Sequence, residues 1–279
     1  MDEVQTFKLT SRDGTTLMGR YWEAKHAFAT VALVHGFGEH CGRYQPWAEH
    51  LTTRGVQVVA LDLRGHGRSD GARGVITSYD NFRDDLDALL TRARELHAPL
   101  SGPLILFGHS MGGGIVLDHG LQSDPGVDAI IASAPLIALA DKPPAILEII
   151  VRGLAKLFPK MPMNQKIDGT KISTIPEEQR AYENDAMTHG SMGTKTIVEL
   201  IDTGDTIKAK ASEWATPLFV YHSDQDQLTD FETSRDFAAL ARAEFHSFSG
   251  VEHEMHNDTS RAAVYALVDG FIDRIAGRD

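Results

Sequence analysis

Short apolar runs and helical patterns alternate along most of this chain. Residues 7–22 follow the two-residue rhythm of paired strands, with Asp13-Gly14 supplying the turn between them. Apolar runs follow at residues 30–35, 56–61, 104–107, 129–132, 218–221 and 244–248. Helical spacing fills residues 82–96, 115–122, 232–241 and 260–275. Apolar strands separated by helices predict parallel βαβ units, hence an α/β protein with a mostly parallel sheet covered on both faces.

The alternation stops between residues 136 and 213. This segment is helical and irregular, punctuated by Pro143-Pro144, Pro159, Pro162 and Pro176, and the strand rhythm resumes at Thr216-Pro217. It reads as an insertion. A core of residues 1–135 and 214–279 would carry a cap of residues 136–213 over the strand carboxyl ends, where open α/β sheets bind ligands. Within the cap, residues 144–158 predict a helix with one narrow polar stripe, Glu148, Arg152 and Lys156. The rest of its surface is apolar over a wider arc than one core contact needs. Such a helix is either sandwiched inside the cap or walls an apolar tunnel and turns one face to lipid.

Composition removes several alternatives. A chain of 279 residues can bury a full core, and a net charge of −12 repels nucleic-acid phosphates, so no nucleic-acid partner is expected. The single cysteine, Cys41, leaves no internal disulfide. The start, Met1-Asp2-Glu3-Val4-Gln5, has neither the basic residues nor the apolar run of a signal peptide. No stretch approaches the ~20 apolar residues of a membrane span. The expectation is a cytoplasmic protein, with any membrane contact peripheral and through the cap.

The chemistry centres on Gly108-His109-Ser110-Met111-Gly112, which lies between the run at 104–107 and the helical pattern at 113–121. A serine on a tight strand-to-helix turn is held strained, with its hydroxyl exposed. Small residues on either side allow strand and helix to approach. This is the nucleophile elbow of the α/β-hydrolases, and it makes Ser110 the candidate nucleophile. The fold supplies acid and base in the order Ser, Asp, His, on loops after later strands. His222-Ser223-Asp224-Gln225-Asp226 and Gly250-Val251-Glu252-His253 are such loops. Spacing alone does not choose between Asp224 and Asp226. The oxyanion hole should join the N–H of Met111 to one from His35-Gly36-Phe37-Gly38, that of Phe37.

Metal readings fail on detail. A calcium loop beginning at Asp224 needs glycine at its sixth position and glutamate at its twelfth, where Thr229 and Arg235 stand. His253-Glu254-Met255-His256 spaces its histidines three apart rather than the four of a zinc helix. Neither a metal nor an organic cofactor is expected.

The stretch His35-Gly36-Phe37-Gly38-Glu39-His40-Cys41-Gly42-Arg43-Tyr44 closely resembles the H-G-x-G-E-H-x-x-R-Y of the monoacylglycerol lipases. With their lysophospholipase-like relatives these belong to the serine aminopeptidase S33-type hydrolases. Residues 61–69, 108–113, Tyr182-Glu183-Asn184-Asp185, Asp226-Gln227-Leu228 and 250–253 resemble the same family. The resemblance implies an α/β-hydrolase fold with a lid. It implies Ser110 as nucleophile, Asp226 as orienting acid and His253 as base. It also implies Glu39, Arg43 and His256 at a glycerol-side exit, with Tyr182 contacting glycerol from the cap. Glu39 and Arg43 could equally pair to hold their loop, and His256 could be a surface histidine. Monoacylglycerol would then be the substrate, cleaved to fatty acid and glycerol through an acyl-enzyme. Lysophospholipids or general carboxylic esters are alternatives, and a ligand-binding receptor on the same fold is a remoter one. A peptidase is disfavoured because the sequence displays no anionic site for a peptide amine.

Overall fold

Burial on both faces explains why the central runs are apolar without alternation. The computed structural model describes residues 4–98, 100–122, 125–164 and 166–278. Gln5–Thr10 (β1) and Thr16–Trp22 (β2) form the hairpin. Its turn is held by the Gly14 N–H on the Ser11 carbonyl and the Thr15 N–H on Asp13 Oδ1. Ala29–Val34 (β3), Val56–Leu61 (β4), Leu104–His109 (β5) and Ala129–Ser133 (β6) follow, every residue of each buried. Between them run the helices Gln45–Thr53 (α1), Asp80–His97 (α2) and Met111–Gly120 (α3).

The strand rhythm then breaks. Ala145–Leu157 (α4), Pro162–Asn164 (β7), Pro176–Asn184 (α5), Ser191–Gly193 (β8) and Thr194–Ala209 (α6) lie in the interval. β7 and β8 pair only with each other. Leu218–Ser223 (β9), Phe231–Leu240 (α7), Glu244–Phe248 (β10) and Arg261–Ile275 (α8) resume the alternation. The main sheet runs β1-β2-β4-β3-β5-β6-β9-β10, with only β2 antiparallel to its neighbours. Helices α2, α3 and α7 cover one face through residues such as Phe82, Ile115 and Phe237. Helices α1 and α8 cover the other through Trp47, Leu51, Val268 and Phe271.

The interval is not uniform. Ile207, late in α6, is buried in the core beneath α2 and α3. Helix α4 instead packs on α6, through Val151 and Ala155 against Val198. Arg152 adds a bridge, reaching Glu148 at 2.8 Å and Asp202 of α6 at 2.7 Å. The other side of α4 is open, with Ile146 and Ile149 each 64% exposed and Leu157 74%. The sandwiched alternative for this helix is therefore wrong. Its wide apolar arc serves a cavity on one side and faces outward on the other.

Candidate active site

Ser110 sits between β5 and α3 with φ +54° and ψ −117°, a conformation that costs a non-glycine residue about 1–3 kcal/mol. Hydrogen bonds on both sides hold it there. Its N–H donates to the Ser133 carbonyl at 2.9 Å, and its carbonyl accepts from Leu136 at 2.8 Å and Gly114 at 3.0 Å. The turn closes only because Gly112 is bare: a Cβ there would lie 2.3 Å from the Val34 carbonyl oxygen. Met111 opens α3, so its N–H is one of the first-turn donors that no intrahelical carbonyl can satisfy. Phe37, on the loop after β3, lines the same cavity as Ser110. A Cβ on neighbouring Gly36 would start 3.2 Å from the Ser110 Cβ.

The choice between the two aspartates has a geometric answer. Asp226 Oδ2 accepts from His253 Nδ1 at 2.6 Å, from His222 Nε2 at 2.9 Å and from Thr229 Oγ1 at 2.9 Å. Its Oδ1 accepts from the N–H groups of Leu228 at 2.7 Å and Thr229 at 3.1 Å. Asp224 is exposed and accepts from Ser249 Oγ instead. Burial opposes ionisation of Asp226, but the His253 charge and the donors of His222 and His253 outweigh it and hold the carboxyl well below its usual range. Burial likewise opposes a charged His253. Attraction to Asp226 wins, and the ring is raised above the ordinary imidazole value. With Nδ1–H committed to Asp226, Nε2 is the nitrogen left to take a proton.

Ser110 lines two spaces of very different size. On one side a cavity of about 540 Å³ is lined largely by apolar groups, including Phe37, Leu136, Leu147, Val151, Met192 and Ile197. On the other a pocket of about 10 Å³ is lined by Glu39, His109, His253, Glu254, Tyr182 and the Gly36-Phe37 backbone, among others. Glu39 holds the Gly36 N–H at 2.6 Å and the Tyr44 hydroxyl at 2.8 Å on Oε1. Arg43 bonds Glu39 Oε2 at 2.8 Å and grips Glu254 with both Nη atoms, Nη2 to Oε2 at 2.8 Å. The Arg43 guanidinium lies 4.9 Å from the centre of the Tyr182 ring.

Several expectations need refining here. The Glu39–Arg43 pair exists, and it is larger than expected because Glu254 completes it. Arg43 backs the pocket rather than lining it. His256 is neither a surface residue nor part of the pocket wall. It is buried, stacked 5.0 Å from Tyr44, and burial lowers its pKa to about 4. The argument against a peptidase also needs amending, since two buried carboxylates do line the pocket. Arg43, shared between them, balances one of the two charges. Glu39, His109 and Glu254 bring one ligand-type atom each within 4.8 Å of one another, a spacing that suits a cation, but Arg43 is that cation. The Cys41 thiol is raised well above its usual range by burial, so it stays protonated and unreactive.

Glu254 is the residue that sequence reasoning missed. It stood inside a string tested only for zinc, and its position directly after His253 was the one available signal.

Residues 25–260 match the family model described as serine aminopeptidase, S33. A monoacylglycerol lipase of Mycolicibacterium smegmatis is 34% identical over 246 residues, covering 87% of each chain. A Bacillus subtilis phospholipase is 27% identical, covering 91% of this chain and 98% of its own. Among solved structures, a soluble variant of Saccharomyces cerevisiae monoglyceride lipase in complex with a substrate analog superposes with a TM-score of 0.87 at 23% identity, covering 98% of this chain and 96% of that one. The Paleococcus ferrophilus monoacylglycerol lipase does so with a TM-score of 0.78 at 25% identity, covering 97% and 99%. The strand-to-helix turn at Ser110, the mostly parallel sheet and these matches agree: the chain belongs to the serine aminopeptidase S33 family and has the α/β-hydrolase fold.

Proposed function

We propose that this protein is a serine ester hydrolase that cleaves monoacylglycerol to fatty acid and glycerol. The observation that carries the reading is the place of Ser110 between a large, mostly apolar cavity and a small pocket whose lining includes the Glu39 and Glu254 carboxylates. An acyl chain fits the first, where each buried CH₂ contributes ~0.8 kcal/mol. Glycerol hydroxyls can donate to the carboxylates that line the second, which at about 10 Å³ has to widen to admit a glycerol. The resemblance to monoacylglycerol lipases supports the same substrate.

In this reading His253 Nε2 takes the Ser110 proton as Oγ attacks the ester carbonyl. Asp226 keeps the ring in the required tautomer and balances the imidazolium. The oxyanion rests on the N–H groups of Phe37 and Met111. His253 returns the proton to the departing glycerol oxygen, and water repeats the cycle on the acyl-enzyme. Residues 136–213 act as the cap, and the outward apolar face of α4 makes peripheral contact with a lipid surface. Among the described residues no helix is long and apolar enough to cross a membrane.

The test is a substrate panel on purified protein with Ser110→Ala as control. Monoolein, lysophosphatidylcholine, p-nitrophenyl esters and aminoacyl-naphthylamides are compared side by side. Monoolein should be preferred, and Ser110→Ala should abolish both turnover and fluorophosphonate labelling. Turnover of the naphthylamide but not monoolein overturns the reading.

A further inference from the structure

The small pocket beside Ser110 has a charge imbalance that the proposed chemistry does not use. It is built around two carboxylates, Glu39 and Glu254, and one guanidinium, Arg43, all three side chains at least nine-tenths buried. Arg43 sits between the acids and is shared by both, so the cluster carries one formal negative charge in excess. Hydrogen-bond counting sharpens this. Glu39 Oε1 and Glu254 Oε2 each already accept two bonds, the latter from Arg43 and from Asn257 at 2.9 Å. Glu39 Oε2 and Glu254 Oε1 each accept one, from the same Arg43 Nη1, and each keeps a lone pair. Both residues line the pocket. The leaving-group side therefore offers spare acceptors and excess negative charge in a place shielded from water.

We infer that Glu254 is a specificity-determining residue, making the leaving-group pocket accept neutral hydroxyl-bearing alcohols and reject phosphate-bearing ones. Hydroxyls of a neutral polyol can donate to the spare lone pairs. A phosphate monoester carries about −1.5 to −2 charge at neutral pH, and that charge repels the cluster at low effective dielectric. Without Glu254 the cluster becomes neutral, and Arg43 loses its bidentate partner and can turn a guanidinium edge toward phosphate. The inference rests on the ester-hydrolase reading above and adds the class of alcohol that leaves.

The experiment compares two esters with the same oleoyl chain, 1-monooleoylglycerol and its 3-phosphate, in mixed micelles. The wild type should prefer the neutral ester in kcat/KM by about a hundredfold. Glu254→Gln should cut that ratio at least tenfold, mainly through KM for the phosphate ester, and Glu254→Asp, which keeps the charge, should retain most of it. Thermal melts establish that each variant is folded. Should Glu254→Gln fail to fold, Glu39→Gln removes the same excess charge and must cut the ratio likewise. An unchanged ratio in a folded Gln variant, or equal use of both esters by the wild type, overturns the inference. Turnover of neither ester by a protein that still cleaves p-nitrophenyl butyrate overturns the monoacylglycerol reading itself.

Discussion

Replacing Asp226 by Asn tests the acid at the cost of one atom's chemistry. The carboxylate accepts from five donors in all, those on Oδ2 coming from side chains and those on Oδ1 from backbone. An amide has one acceptor oxygen and one NH₂ donor, so either orientation sets donor against donor. If the NH₂ takes the Oδ2 place, it faces His253 Nδ1 and forces the ring into the wrong tautomer. If it takes the Oδ1 place, the N–H groups of Leu228 and Thr229 lose their acceptor, at about 1–3 kcal/mol each. The first outcome is catalytic, and kcat should fall about 10⁴-fold with little change in melting temperature. The second is structural, and the melting temperature should fall with it. Asp224→Asn changes only an exposed bond to Ser249 and should stay within about twofold of wild type. Steady-state kinetics on a soluble ester, with a calorimetric melt of each variant, separates these cases. Near-normal turnover in Asp226→Asn with a large loss in Asp224→Asn would refute the reasoning.

Other expectations follow from the same site. His253 must be neutral to act as base, and its pKa is raised, so kcat/KM should fall on the acid side with a midpoint above 6.5. A pH–rate profile with its midpoint below that value contradicts the assignment. Glu254, lowered to about 2 by Arg43 against the opposing effect of burial, contributes stability that is present above its unfolded value and lost as pH falls toward 2. Chemical denaturation between pH 5 and 2.5 should thus be less pH-dependent in Glu254→Gln than in wild type. Charging the outer face of α4 with Ile146→Glu and Ile149→Glu should lower monoolein turnover on vesicles at least tenfold. Turnover of dissolved p-nitrophenyl butyrate should hold, and equal loss on both would sink the lipid-contact role.

What the sequence made legible was whatever is periodic or local. The parallel core strands are apolar without alternation, and the elbow is a five-residue string whose strand and helix flank it directly. Helix α6 was not legible: Thr194, Thr196, Thr203, Thr206 and Gly204 are poor helix formers, and packing against α3 and α4 overrides them. The clamp on Glu254 was equally hidden, because its partner Arg43 lies 211 residues away. The family resemblance puts His256 at the glycerol-side exit, yet the residue is stacked on Tyr44 and lines neither space beside Ser110. Asp226 and Asp224 differ by two residues along one loop, and only the fold decides which of them meets His253.

The His253 loop is tied by its backbone to the segment preceding α5: the N–H of His253 donates to the Lys171 carbonyl at 3.3 Å, and that of Glu254 to Ile172 at 2.8 Å. Residues 136–213, proposed as the cap, are therefore not an interchangeable module that could be exchanged among relatives to graft a new substrate preference. A donor cap would bring its own version of residues 171–172, and with it a different seat for the base and for Glu254. Chimeras should be cut so that this short stretch stays with the core, however naturally it reads as part of the insertion.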